Sequence, residues 1–336
     1  MKSVAAWCAL SALVGGCALA PDIDPSRAAV VRGPLPSRVQ HPLALTMPSL
    51  GLRRALPVGR GSFALEQDLA YTTIFENDSD GADAVRVDGE FARASLRVTA
   101  GLATHVDLTL HTALIHGGAG SLDHFVTEWH EAFGFPNSGR DAVDEDRFEV
   151  EIVGRDESAY RFEGNRVAAQ DVALELLVAA PRPLLGWTTG ARAVLEFPVG
   201  DEGRGYGNGE LDLGLGWSGE RTSARWTQFA ALGWVHPATP TSFDDTGVAL
   251  SDVVQLGWGV ELRWSESSSL VVQLDGRSGL SDDLDMEELS GPMVDLGLGV
   301  IRDAGQSGRV FFAFHEDVVS QAGPDFTLFA GWTWSP

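Results

Sequence analysis

The sequence is short of cysteine, of long apolar runs and of positive charge, and each shortage removes a class of protein. Its only cysteines, Cys8 and Cys17, lie in or at the end of an apolar N-terminal stretch, so no disulfide is expected to staple the mature fold. Beyond that stretch, no run approaches the roughly eighteen consecutive apolar residues that a membrane-spanning helix requires. A formal net charge of −23 argues against nucleic acid as a partner. What the chain does have is 39 Gly, 10 Trp and 16 Phe in 336 residues. That mixture suits a barrel, where small residues face a crowded interior and aromatics gather at the membrane interfaces.

The stretch from Val253 to Trp264 shows the pattern most plainly. Val254, Leu256, Trp258, Val260, Leu262 and Trp264 alternate with Gln255, Gly257, Gly259, Glu261 and Arg263. A period of two places every apolar side chain on one face of a strand and every polar or missing one on the other. About ten residues is the length a tilted strand needs to cross a bilayer. The same alternation recurs from Gly61 to the C-terminus and predicts about twelve antiparallel strands. The connections at 102–104, 181–186, 219–223, 265–269 and 303–307 are short, whereas those at 76–84, 117–167, 199–209, 237–251, 281–292 and 317–324 are longer and more acidic. Short turns at one end and long loops at the other are the arrangement of an up-and-down barrel in the outer membrane of a Gram-negative bacterium, with the short turns and both termini periplasmic.

Residues 1–16, with Lys2 before an apolar core from Val4 to Val14, read as a secretory signal. Val14-Gly15-Gly16-Cys17 has the form of a lipobox, in which Cys17 is lipidated and becomes the first mature residue; a cut after Ala20 is the alternative. Residues 17–60, rich in Pro and Arg and without alternation, are expected as a periplasmic lead-in, and residues 61–336 as the barrel.

Three groups of residues carry a family resemblance. Residues 34–43 read Pro-Leu-Pro-Ser-Arg-Val-Gln-His-Pro-Leu, and Leu56-Pro57-x-Gly59 follows. In the middle of the chain stand Leu122-Asp123-x-Phe125, Trp129-His130-x-x-Phe133-Gly134-x-Pro136 and Gly139-Arg140-Asp141. With these the chain resembles an uncharacterised family of Gram-negative outer-membrane proteins, a domain-of-unknown-function family, over nearly the whole mature length. The resemblance implies a barrel and no particular chemistry. The chain departs from the usual aromatic end of such barrels, because Ser335 and Pro336 follow Trp334.

No motif calls for catalysis. The histidines lack the i, i+4 spacing with a carboxylate that zinc sites favour, no G-x-S-x-G elbow is present, and the glycine-rich stretch 200–209 is not followed by a helix. No cofactor or metal is expected. The strand register instead turns Glu66, Asp68, Arg93, Arg97, Asp107, His111, Arg192, Glu196, Asp212, Glu261, Arg263 and Asp295 toward the lumen. Such a lining is either a salt-bridged filling or a polar path for a small charged solute. The leading expectation is a passive channel for small polar or charged solutes, not an enzyme. A closed structural or assembly-partner barrel is the alternative, and a lipid-modifying enzyme a distant third. Outer-membrane lipid and the barrel-assembly machinery are the expected partners.

Residues 117–167 interrupt the alternation. Leu122, Phe125, Val126, Trp129 and Phe133 form one helical stripe, and residues 148–162 have the pattern of a hairpin. An apolar stripe left in water costs roughly 25 cal/mol per Å². The helix is therefore expected to constrict the barrel mouth, with Trp129 and Phe133 buried, His130 beside them and Arg140 at the lumen or rim. Packing against its own loop alone is the alternative.

Overall fold

The structure is a computed structural model that describes residues 31–133, 140, 143–144, 146–154, 159–162, 164–244, 246–284, 286–318 and 323–336. The signal sequence, Cys17 and the proposed cleavage sites lie outside the described residues.

Among the described residues fifteen strands form one antiparallel sheet. In chain order they are β1 (Phe63–Asp80), β2 (Asp83–Ala103), β3 (Val106–Gly118), β4 (Glu149–Val153), β5 (Ala159–Phe162), β6 (Arg166–Ala169), β7 (Val172–Ala179), β8 (Thr188–Phe197), β9 (Asp212–Ser223), β10 (Trp226–His236), β11 (Val253–Arg263), β12 (Ser268–Arg277), β13 (Met293–Ala304), β14 (Gly308–Asp317) and β15 (Phe326–Trp334). All but β4, β5 and β6 make a ring of twelve, closed where β15 returns to β1 from Leu65↔Trp334 to Thr73↔Phe326. Closure satisfies both edges of the sheet, which a membrane-spanning sheet requires.

The period-two pattern is realised as an outer and an inner face. On β11, Val254, Leu256 and Trp258 are exposed on the outside while Glu261 is fully buried inside. Phe63, Trp226, Trp264, Trp332 and Trp334 are exposed toward the short-turn end, and the Phe63 and Trp334 rings meet edge to face at 5.3 Å. An apolar band with an aromatic rim is the outer surface a bilayer selects.

Several boundaries differ from expectation; the expected turn 219–223 is the paired end of β9, which runs to Ser223 opposite Trp226. The expected loop 76–84 is mostly strand, because β1 and β2 stay paired up to Asp80↔Asp83 and rise as a long hairpin beyond their neighbours. The upper part of β2 then pairs with β4, which pairs with β5, so the hairpin expected near 148–162 extends the wall above the ring.

The larger difference concerns the segment expected to lie outside the barrel. Residues 31–58 run through its lumen. They enter at the short-turn end, where Arg32 binds Asp303 and the Glu266 carbonyl. They turn over at the far end, where His41 Nε2 lies 3.0 Å from Glu76 and the Leu45 carbonyl accepts from Gln170 at 2.6 Å. They then descend to Val58, whose N–H donates to Asp107 at 2.8 Å. Val31, Leu35, Leu43, Leu45, Leu50 and Leu52 are all buried. Burying each such side chain stabilises by roughly 1.5–3 kcal/mol. The segment has no alternation because it pairs with no strand: the N–H groups of Arg32, Gly33, Leu35, Leu50, Ala55 and Val58 donate to inward side chains of the wall, and those of Leu43 and Leu45 to His41 of the segment itself.

The helix α1 (Asp123–Phe133) forms as expected, but it lies on the outside of the wall. Trp129 packs edge-on against Phe314 at 5.7 Å and Phe125 against Phe326 at 6.0 Å. Phe314 and Phe326 are on the outward parity of β14 and β15, opposite to the inward His315 and Phe329. Val126 and His130 are buried in this contact, Trp129 is half-buried, and the Phe133 side chain lies outside the described residues. Arg140 does not reach the lumen: it ion-pairs with Asp123 and Asp325 and lies over the Phe75 ring at 5.0 Å. The expected constriction by Trp129, His130, Phe133 and Arg140 is thus replaced by a helix clasped to the outer face. The outward aromatics at the upper end of β14 and β15 offer the apolar stripe a nearer cover than the filled mouth does. Arg140→Ala should strand the buried Asp123 carboxylate and the partly buried Asp325 carboxylate, a loss of about 3–5 kcal/mol for the clasp. Proteases should then cut residues 119–148 while the barrel keeps its heat-modifiable gel mobility; resistance equal to the parent's would show that Arg140 is not the clasp.

Candidate functional site

The lumen is the candidate site, and it is built from the inward positions of the wall and the segment that fills it. From β9 to β13 those inward positions include Gly214, Gly216, Gly233, Gly257, Gly259, Gly297 and Gly299, which leave the wall bare where the filling approaches. A Cβ on Gly257 would stand 2.7 Å from Leu52 Cγ, one on Gly233 2.6 Å from Leu50 Cβ, and one on Gly299 2.8 Å from Leu35 Cδ1. The leucines are seated in a groove cut for them.

Polar side chains hold the filling at fixed points. Glu261 accepts from the N–H groups of Arg32 and Gly33 at 3.0–3.1 Å and from Ser269 at 2.6 Å. Gln273 and Gln255 accept from the N–H groups of Leu35 and Leu50. Glu220 takes a two-pronged contact from Arg54 at 2.7 and 2.9 Å and a third bond from the Ala55 N–H. Arg192 donates to Glu175 at 2.8 Å and to the carbonyls of Leu50 and Gly51 at 3.0 and 2.7 Å.

The other residues assigned to the lumen also sit on the inner face. Arg93 donates to Gln170 at 3.1 Å, meets His111 Nε2 at 2.9 Å and lies 3.7 Å from Asp68, which also accepts from Ser95. Glu66 lies 3.9 Å from Arg97. Asp212 accepts from Asn208 and the Ala238 N–H, both at 2.7 Å. Asp295 stands in register between Asp275 and Asp317. Arg263 is half-buried near the short-turn end of β11. Glu196 is buried, and neither of its oxygens meets a hydrogen-bond donor among the described residues.

Sequence reading missed Arg32, Arg54 and the wall groups that bind the filling, Glu220, Gln255 and Gln273. The signal that could have found them is the inward glycine series, because a wall without side chains needs something else to fill the space.

Among the cavities beside the filling, two bear on the site. One of 160 Å³ runs beside the filling and is bordered by Arg38, Asp68, Arg93, His111 and Arg192. The other, of 460 Å³, lies at the short-turn end among Arg53, Arg97, Asp107, Glu175 and Arg309. They share Arg53, Glu66, Arg97, Glu175 and Arg309 among their lining residues, so the two adjoin. At the long-loop end the lumen is closed by an apolar core. There Leu43, Leu45 and Met47 from the filling pack with Phe91, Ile152, Phe243, Leu280 and Leu289 from the upper wall and the infolded loops.

Known proteins share this architecture. The COG4313 outer membrane channel from Pseudomonas putida F1 superposes with a TM-score of 0.54 at 12% identity, over 82% of this chain and 96% of that one. The NanC porin matches with a TM-score of 0.46 at 7% identity, over 81% and 98% of the two chains. The likeness to the first establishes the fold as that of an outer-membrane β-barrel. No curated protein matches the chain by sequence. A family model described as a protein of unknown function (DUF3187) matches residues 10–335.

Proposed function

The chain belongs to the DUF3187 family, whose description names no activity, and we propose that it is a plugged outer-membrane channel for small polar or charged solutes. In this reading the short-turn end faces the periplasm, and residues 31–58 are the plug that a solute must displace. The observation that carries it is the pair of adjoining cavities lined by both signs of charge, one at the short-turn end by Glu66 and Arg97 and the next reaching from these residues to Asp68 and Arg93. A lumen filled only for rigidity gains nothing from leaving charged side chains beside open volume, since each charge kept from full pairing or full hydration is costly. The apolar closure at the long-loop end favours a second reading, a closed barrel that serves structure or assembly.

A disulfide between plug and wall separates the two. With Cys8 and Cys17 the only native cysteines, Leu52→Cys combined with Gly257→Cys places a single reducible pair at the plug seat. Liposomes carrying this variant should swell in small sugars and amino acids when reduced and cease to swell when oxidised. Absence of swelling in both states, and in the parent protein, would overturn the channel reading and leave the closed barrel.

A further inference from the structure

The lumen arginines fall into two sets. Arg32 and Arg54 of the plug and Arg93 and Arg192 of the wall spend their guanidinium N–H groups on protein acceptors. Arg53, Arg97 and Arg309 do not: among the described residues Arg97 comes within only 3.9 Å of Glu66 and Arg309 within only 3.7 Å of Asp303, and no hydrogen bond is formed by any of the three. All three line the 460 Å³ chamber at the short-turn end.

The acids around them are largely occupied. Both Glu175 oxygens accept from Arg192, both Asp303 oxygens from Arg32, and one Asp107 oxygen from the Val58 N–H. Of the acids that line this chamber, Glu66, Asp107, Glu175 and Asp303, Glu66 alone has both oxygens unengaged by a hydrogen bond among the described residues. The chamber is close to neutral by counting charges, yet its unspent hydrogen-bonding capacity is mostly cationic N–H. Guanidinium forks of this kind match the paired oxygens of carboxylate and phosphate.

We infer that the short-turn chamber is a binding site for a small oxyanion, carboxylate or phosphate, held by Arg53, Arg97 and Arg309. Arg53 comes from the plug, Arg97 from β2 and Arg309 from β14, with only β15 and β1 between those two strands, so an anion seated among them ties the plug to this side of the wall. The inference deepens the channel reading by giving the solute class, and it rests on that reading only for the solute's passage, not for its binding.

Isothermal titration of the full-length protein in detergent at low salt tests it, with inorganic phosphate and succinate as probes and glucose and lysine as neutral and cationic controls. At least one anion should bind saturably and the controls should not. Arg97→Gln and Arg309→Gln should each weaken binding about tenfold, the scale of one charge-assisted hydrogen bond. Arg309→Lys, which keeps the charge but not the fork, should recover part of the loss. No saturable heat with either anion overturns the site. So does equal affinity in the parent and in an Arg97→Gln/Arg309→Gln variant of native gel mobility. Binding that responds to these variants in a protein that never swells liposomes upholds the site while the channel reading falls. Swelling by a protein that binds neither anion does the opposite.

Discussion

Removing residues 31–56 should convert a barrel of low or intermittent conductance into one with discrete, sustained steps at least tenfold larger in planar bilayers. The wall does not depend on the plug for its backbone bonding, since all twelve strands pair with their neighbours around a closed ring. What the deletion takes away is the material that fills the interior: Leu35, Leu50 and Leu52 along the wall, and Leu43, Leu45 and Met47, which seal the long-loop end. The inner face so exposed carries apolar patches, Phe229 with Ala231 and Val271 with Ile301, Phe311 and Phe329, beside the charged positions Glu66, Asp68, Arg93 and Arg192, so water enters the vacated lumen along its charged side. The variant should also unfold at lower temperature, because the removed leucines each contributed roughly 1.5–3 kcal/mol. A folded deletion variant, identified by heat-modifiable mobility, whose trace matched the parent's would show that residues 31–58 are not the closure.

A single added methyl in the plug seat should have the second-largest effect. On Gly257 it meets Leu52 Cγ at 2.7 Å and Cδ2 at 3.1 Å, and Leu52 is itself buried, so the leucine cannot swing away as an exposed side chain would. Overpacking of this kind costs about 1–3 kcal/mol, more than the up to about 1 kcal/mol a strand gains by exchanging Gly for Ala. Gly257→Ala should therefore loosen the plug, seen as more frequent opening and faster protease cleavage within residues 31–58. Leu52→Ala removes the atoms that collide, and the double variant should be less perturbed than the sum of the two single changes by at least about 0.5 kcal/mol. Strict additivity, or a Gly257→Ala protein indistinguishable from the parent, would show that the glycine groove does not seat the plug.

The wall was legible in the sequence because its information is local. Alternation along Val253–Trp264 and its repeats decides which side chains face outward, and a closed ladder needs nothing more than that pattern and short turns to define it. The inward placement of Glu66, Arg93, Arg192 and Glu261 follows from the same parity. The length contrast between loops at the two ends followed from turn residues read in place, except at 76–84 and 219–223, where cross-strand pairing carried β1, β2 and β9 through the expected connections.

The plug and the position of α1 were settled only in three dimensions. Residues 31–58 have no period because they obey no ladder, and their partners are remote: Arg32 meets Glu261 across 229 positions of chain, and Arg54 meets Glu220 across 166. No local pattern encodes such a contact. The glycines that make room for the plug read equally well as the small residues of any crowded lumen. For α1 the sequence determined that one face must be covered, through the spacing of Leu122, Val126 and Trp129. It did not determine the cover, because an amphipathic stripe states a need for apolar contact and not an address. The tertiary structure supplied the address: Phe314 and Phe326 stand on the outer wall within reach of the loop, and the mouth that might have competed for the helix was already filled by the plug.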